Sequence, residues 1–202
     1  MQCTDPVWLN KLGFYVPCGR CLGCKIAHSR EWTLRLLHQL STSDTACFLT
    51  LTYDEENCPL SLKKSDLQKF WKRLRKQLKK EGRNIKYFAC GEYGDTYGRP
   101  HYHSICFGID WNDELLINQC WNKGFIKIGS VTRQSCGYVT DYCLKKFGRK
   151  KDKEMYESVG LEAPFQLCSQ GLGLDFALAN SVQLHDNLGC TLNGQPDRKS
   201  TR

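Results

Sequence analysis

The segment 99–108 places two histidines two residues apart among alternating polar and bulky apolar side chains. A period of two is the pattern of a β-strand, on which His101 and His103 point to the same face. The segment 88–93 predicts a neighbouring strand that ends near Glu92, and the turn-forming residues between the two segments predict a hairpin. This hairpin would bring Glu92 beside the histidines, and it constrains the fold more than any other feature.

Two imidazoles and one carboxylate on a rigid hairpin are ligands for a divalent metal ion. Such a set leaves coordination positions for water or for a phosphate oxygen, which is typical of a catalytic site rather than a closed structural site. A chance pairing of histidines on a strand is the alternative. Glu92, His101 and His103 are therefore the candidate metal ligands.

A second motif lies downstream, where Tyr138 and Tyr142 stand four residues apart and Lys145 follows. On a helix this spacing stacks both phenols on one face with the lysine adjacent. A tyrosine can act as a covalent nucleophile, and near a metal that polarises a phosphodiester it could attack DNA. Tyr142, with Lys145 in register, is the first candidate nucleophile. Tyr138 is the second, and core packing is its alternative role.

These motifs together resemble a known family. His101-Tyr102-His103 with Tyr142-Cys143-Leu144-Lys145 resembles the HUH endonucleases, which initiate rolling-circle replication. A closer resemblance is to the replication initiators of gokushovirus-type microviruses, which are small single-stranded DNA phages. It covers about residues 15–178. Four motifs carry this closer resemblance, at 17–24, 48–53, 91–94 and 99–103.

The resemblance implies a single-strand DNA transesterification. Glu92, His101 and His103 would hold Mg²⁺ or Mn²⁺, and a tyrosine would attack the scissile phosphate to leave a 5′-phosphotyrosine link and a free 3′-hydroxyl. Lys145 would steady the phosphate charge or lower the pKa of the phenol. Related sequences often have a lysine where this chain has Asp141. An acid there could repel DNA or join the metal shell.

The implied partners are single-stranded DNA at a phage origin and a host helicase and DNA polymerase, in the cytoplasm of a bacterial host. Three alternatives stay open. The first is another HUH branch, such as a plasmid initiator, relaxase or transposase. The second is a zinc-stabilised protein that binds single-stranded nucleic acid without catalysis. The third is a metallonuclease that uses water as the nucleophile.

Thirteen cysteines, in a chain without a secretory pattern at its N-terminus, indicate free thiols and a metal rather than a disulfide scaffold. Cys18, Cys21, Cys24 and His28 have spacings that could hold a structural Zn²⁺, and Cys3 is another candidate for the fourth ligand. Reduced, partly buried cysteines are the alternative.

The net charge of +8 indicates a polyanionic partner. A helix predicted at 65–80 opens on Ser65-Asp66-Leu67-Gln68, which has the form of a capping box, and carries many basic residues and few acids. We interpret it as a contact with the nucleic-acid backbone. No apolar run approaches the roughly 20 residues of a membrane span, so no membrane partner is predicted. The predicted DNA-binding residues are Lys69, Lys72, Arg73, Lys76, Arg99 and Lys146.

The predicted order of elements is strand, helix, strand, strand, helix, strand, helix, which indicates an α+β fold with a mainly antiparallel sheet. The resemblance implies the ferredoxin-like palm of HUH nucleases, with helices flanking the sheet. A chain of 202 residues fits one domain with appendages. The predicted divisions are a Cys-rich segment and helix at 1–44, the endonuclease core at 45–154, and a partly disordered C-terminal extension at 155–202.

Overall fold

The structure is a computed structural model that describes residues 2–11, 13–146, 150–181, 191–192 and 195–196. For residues 142–146, 150–153, 191–192 and 195–196 it describes the backbone only. The strands are β1 (Val7–Leu9), β2 (Phe14–Val16), β3 (Ala46–Tyr53), β4 (Lys86–Tyr93), β5 (Pro100–Phe107), β6 (Gly124–Gly129), β7 (Phe165–Cys168), β8 (Thr191–Leu192) and β9 (Gln195–Pro196). The helices are α1 (Leu22–Ser41), α2 (Lys64–Lys80), α3 (Glu114–Trp121), α4 (Arg133–Lys146), α5 (Lys150–Ser158) and α6 (Leu174–Ala179).

The central sheet has the strand order β6-β3-β5-β4-β7 in the described part of the chain, and every neighbouring pair is antiparallel. The predicted hairpin is present as β4 and β5, with Glu92 directly opposite His101. Helices flank the sheet. The fold is therefore the predicted α+β class with an antiparallel sheet, and it is consistent with a ferredoxin-like palm.

Strand alternation gives the sheet two different faces. On one face, here the α2 face, Leu49 and Tyr102 are buried against Phe70 and Trp71 of α2. On the other face, here the α1–α4 face, Ile105 packs in a second cluster with residues of α1 and α4. Because His101 and His103 have the same parity as Ile105 along β5, they lie on the α1–α4 face.

The predicted capping box at 65–68 does not form. Helix α2 begins at Lys64, and Lys63 at its N-cap makes no side-chain capping bond. The Asp66 carboxylate instead accepts a hydrogen bond from the Tyr53 hydroxyl at 3.1 Å. A tertiary contact therefore occupies the carboxylate that lies within the predicted capping motif.

The predicted boundary after residue 154 does not separate a structural unit. Strand β7 pairs with β4 at the edge of the central sheet, and the Tyr93 hydroxyl donates to the Glu162 carbonyl at 2.7 Å. Helix α1, which was assigned to the N-terminal segment, likewise packs on the sheet. Both flanking segments therefore complete the same core. Within the described ranges no helix is both long and apolar enough to span a bilayer.

An ion pair joins the segment after α2 to the start of α3. The Arg83 guanidinium donates to both carboxylate oxygens of Asp113 at 2.6 and 2.7 Å. The Arg83 hydrogen bonds lower the pKa of Asp113 against the opposing effect of burial. This bidentate pair fixes the end of the loop that leads into α3.

Candidate active site

The two histidines of β5 converge on one carboxylate oxygen. The Nε2 atoms of His101 and His103 lie 3.2 and 3.3 Å from Oε1 of Glu92. The opposite ring nitrogens are also engaged: His103 Nδ1 lies 3.0 Å from Thr50 Oγ1, and His101 Nδ1 lies 3.1 Å from the Arg99 carbonyl oxygen. Both rings are thus oriented with Nε2 toward Glu92, and a proton on each Nδ1 would leave each Nε2 lone pair available.

This donor set fits a divalent metal ion. Two ligands at about 2.1 Å from a metal and at right angles lie about 3.0 Å apart, which is close to the separations observed here. Imidazole nitrogen with carboxylate oxygen suits Mn²⁺, and Mg²⁺ would complete its shell with oxygens from water or phosphate. The predicted ligands Glu92, His101 and His103 are therefore grouped as a metal site requires.

The Glu92 carboxylate is buried but ionised. Burial raises its pKa, yet hydrogen bonds from His101 and His103 and the positive charge of these rings outweigh burial and lower the pKa to about 2. The carboxylate is therefore available as a ligand at neutral pH without loss of a proton.

Helix α4 lies against the triad. The Tyr138 ring is 5.9 Å from the His103 ring and 6.3 Å from the Phe48 ring, between centroids, and the residue is 43% exposed. The backbone of Tyr142 and Lys145 continues the same helix, and their side chains lie outside the described part of the chain. Position 142 follows position 138 by about one turn, or roughly 6 Å.

Helix α4 is held to α1 by a polar seam, which consists of Ser29, Thr33, Thr140 and Asp141. The Ser29 hydroxyl donates to the Asp141 carboxylate and lies 3.2 Å from Thr140 Oγ1. Thr33 Oγ1 and Thr140 Oγ1 are 2.7 Å apart, and Ser29 and Thr140 are buried. Asp141 therefore belongs to a helix contact and not to the metal shell, which corrects one of the two roles expected for it.

Strand β6 carries two exposed side chains beside the triad that the sequence analysis did not single out. Phe125 pairs with Thr52 and Lys127 pairs with Thr50 in the register of β3, so both lie on the same face as His103. Phe125 is 67% exposed and Lys127 is also exposed. Strand alternation in the predicted segment 124–131 was the signal that could have identified them.

The predicted DNA-binding residues of α2 lie on the opposite side of the sheet. Lys69, Lys72 and Lys76 are exposed on α2, whose apolar side packs on the α2 face. Arg73 is engaged in the fold, because its Nε donates to the carbonyl oxygen of Cys120 at 2.8 Å at the end of α3. The structure therefore does not bring these four residues to the triad, and Arg73 has a structural contact instead of a free guanidinium.

Two further predicted DNA-binding residues lie closer to the triad. Arg99 is exposed beside His101, and its Nη2 donates to the Tyr53 carbonyl oxygen at 3.1 Å. Lys146 is the last residue of α4, and its side chain lies outside the described part of the chain.

The predicted zinc ligands are brought together with one exception. The thiols of Cys18, Cys21 and Cys24 form a group with Cys3, which takes the fourth position. The ring of His28 points elsewhere: its Nε2 accepts a hydrogen bond from the Trp32 indole at 3.1 Å. Cys3, the other candidate for the fourth position, therefore replaces His28.

Comparison with known proteins gives a consistent set of relatives. The family model for replication-associated protein ORF2 matches residues 46–147, which include the triad and both tyrosines. The chain is 31% identical to replication-associated protein ORF2 of Spiroplasma virus 4 over 84% of this chain and 59% of that protein. It is 35% identical to replication-associated protein VP4 of Bdellovibrio phage phiMH2K, over 70% of this chain and 51% of that protein.

A third relative is replication-associated protein ORF4 of Chlamydia phage 1, with 27% identity over 92% of this chain and 52% of that protein. The chain thus spans between 51% and 59% of the length of these relatives. No solved structure matches the chain.

Proposed function

This chain belongs to the replication-associated protein ORF2 family, and we propose that it initiates phage DNA replication by cutting single-stranded DNA with a tyrosine nucleophile. The names of its relatives point to replication and leave the chemistry to the site. The observation that carries the proposal is the convergence of His101, His103 and Glu92 next to α4, with Tyr138 against His103.

The cleavage exchanges one phosphate ester for another. The tyrosine oxygen forms a bond to phosphorus, and the bond from that phosphorus to the 3′ oxygen of the preceding nucleotide breaks. The phenolic proton is released, and the 3′ oxygen leaves as a hydroxyl that a polymerase can extend. Glu92, His101 and His103 would hold Mg²⁺ or Mn²⁺, which supplies Lewis-acid polarisation of the phosphate. Because ester replaces ester, the reverse reaction can reseal a displaced strand.

The direction of α4 supports Tyr142 as the first nucleophile. Val131, just before α4, packs with Phe48, and α4 reaches His103 at Tyr138. The next turn of the helix holds Tyr142 and continues toward the His101 end of β5. Tyr138 is the second nucleophile of the proposal. Lys145, one turn after Tyr142, would stabilise the negative charge on the phosphate.

The open surface of β6 beside the triad suits a single DNA strand. The exposed ring of Phe125 can stack on a base, an interaction worth about 1–3 kcal/mol. Lys127 and Arg99 are exposed cations on either side of the histidines and can contact phosphates without reading sequence. The proposed partners are origin DNA and a host helicase and polymerase, in the cytoplasm of the host bacterium.

A denaturing gel tests the proposal. The purified chain is incubated with single-stranded oligonucleotides that tile the candidate phage origin, in Mn²⁺ or in EDTA, and the gel is examined for a covalent protein–DNA adduct. We expect an adduct that needs the metal and is lost in His103→Ala. It should be strongly reduced in Tyr142→Phe and absent when Tyr138 is also changed.

Tyr156→Phe is the matched control, because Tyr156 stacks on Tyr93 away from the triad. This variant should form the adduct normally. Cleavage that persists without any adduct in the double tyrosine variant would show a nuclease that uses water. Tight binding without cleavage, across origins and metals, would show a binding protein and would overturn the proposal.

A further inference from the structure

Four thiols lie together where the β1–β2 hairpin meets the start of α1. The Sγ atoms of Cys3, Cys18, Cys21 and Cys24 are all within 4.8 Å of one another. The Cys18–Cys24 and Cys3–Cys21 sulfur pairs are each 3.9 Å apart. Four sulfurs at about 2.3 Å from a tetrahedral Zn²⁺ lie about 3.8 Å from one another. We propose that these four cysteines bind one structural Zn²⁺ ion.

Backbone amides surround the sulfurs in the way that thiolate ligands require. The Cys21 N–H donates to Cys18 Sγ and the Cys24 N–H donates to Cys21 Sγ, each at 3.4 Å. The Cys18 N–H donates to Cys3 Sγ at 3.3 Å. These bonds fix the positions of the sulfurs and favour the thiolate, which is the form that binds a metal. Gly19, at φ +72°, permits the tight turn between Cys18 and Cys21.

The local fold also needs a link of this kind. Strands β1 and β2 have three residues each, and Trp8, Phe14 and Tyr15 on them are between 48% and 65% exposed. A two-stranded hairpin with such exposed side chains is marginal by itself in water. One metal ion would join the residue before β1, the residues after β2 and the first turn of α1, and would thereby hold the hairpin in place.

The chemistry of the ligands selects the metal and its role. Four thiolates form a closed tetrahedral shell without a position for water, which is typical of a structural zinc site. Soft sulfur ligands favour Zn²⁺ over Mg²⁺ and Mn²⁺. This site is therefore distinct in ligands and in function from the site of Glu92, His101 and His103.

Metal content tests the proposal independently of any DNA cleavage. The full chain is purified under reducing conditions from cells grown with zinc, desalted, and analysed for zinc and for free thiols. We expect about one zinc ion per chain. Cys3→Ser and Cys21→Ser should reduce this content at least about tenfold. Cys58→Ser should retain it, because Cys58 is half-buried outside the cluster.

Two further variants assign the ligands. The zinc content should be unchanged in His28→Ala and in His103→Ala. Loss of zinc in His28→Ala with retention in Cys3→Ser would overturn the ligand set, and loss in His103→Ala alone would place the zinc in the other site. A chain with two disulfides and without zinc would also overturn the proposal.

A measurement on the unmodified chain covers the case in which cysteine variants fail to fold. Zinc is removed from the wild-type chain and Co²⁺ is added. One equivalent of Co²⁺ should produce the absorption of a tetrahedral site with thiolate-to-metal charge transfer, and Zn²⁺ should abolish it. Absence of these bands in a folded chain that also lacks zinc would refute the site.

Discussion

Thr50 orients one of the metal-binding histidines, and its removal makes a quantitative prediction. Thr50 Oγ1 lies 3.0 Å from Nδ1 of His103, on the ring atom opposite the one that faces Glu92. When Nε2 binds a metal, Nδ1–H donates to this hydroxyl and fixes the ring. Thr50→Val keeps the shape of the side chain and removes the acceptor.

The expected loss follows from the role of this bond. Partners of metal-bound histidines typically contribute 10- to 100-fold to metal affinity. Thr50 supplies a neutral hydroxyl rather than a carboxylate, so we expect the lower end, about tenfold weaker Mn²⁺ binding or about 1.4 kcal/mol. Isothermal titration of Mn²⁺ into the metal-free chain measures this change. DNA adduct formation should slow by the same factor at low Mn²⁺ and recover when Mn²⁺ is saturating.

Thr52→Val is the matched control, because Thr52 lies on the same face of the same strand but its hydroxyl donates to the Phe125 carbonyl oxygen at 3.3 Å. Its Mn²⁺ affinity should equal that of the wild type. A Thr50→Val chain that binds Mn²⁺ within about twofold of the wild type would refute the orienting role. Equal weakening in both variants would show a general effect on β3 instead.

Three predictions concern stability and are measured by urea and thermal unfolding. Ser29→Ala removes the buried bonds to Thr140 and should cost about 1–2 kcal/mol, which lowers Tm by roughly 2–8 °C; an unchanged Tm would contradict the importance of the seam. Gly91→Ala places a Cβ 2.8 Å from the Phe165 ring and should cost about 1–3 kcal/mol, part of which Phe165→Leu should restore. Asp113 has a lowered pKa, so its ion pair stabilises the fold above the ordinary value of 3.8 and this contribution is lost as the pH falls below it. Asp113→Asn should therefore be less stable than the wild type at pH 7 and should lose less stability between pH 7 and acid; parallel pH profiles would contradict this.

The part of the site that is local in sequence was predictable. The hairpin of β4 and β5 follows from a period of two and from the turn residues between the strands, and these features place Glu92 opposite His101. The tyrosine helix was likewise predictable, because spacing on a helix is a local property. Thr132 and Ser135, both considered as its start, cap each other: each backbone N–H donates to the side-chain oxygen of the other, at 2.7 and 3.1 Å.

The parts that depend on distant contacts were not predictable. Strand β7 has four residues and is specified by pairing with β4, which lies far away in sequence. Spacing also left the choice between Cys3 and His28 open, because it is decided by how the β1–β2 hairpin folds back. Arg73 has the sequence context of a DNA-binding residue, and only the position of α3 shows that its guanidinium is bonded to a carbonyl.

The polar seam between α1 and α4 sets an angle as well as a distance. Residues on a helix are separated by about 100°, so positions 138 and 142 lie about 20° on either side of the direction opposite Thr140. Hydrogen bonds are directional, whereas apolar surfaces can slide, so the bonds of Ser29 and Thr33 to Thr140 restrain rotation of α4 about its own axis. A turn of about 40° would exchange the positions of the two tyrosines around the axis. The hydroxyl groups of α1 thus govern, from behind the helix, which phenol is presented on its far side.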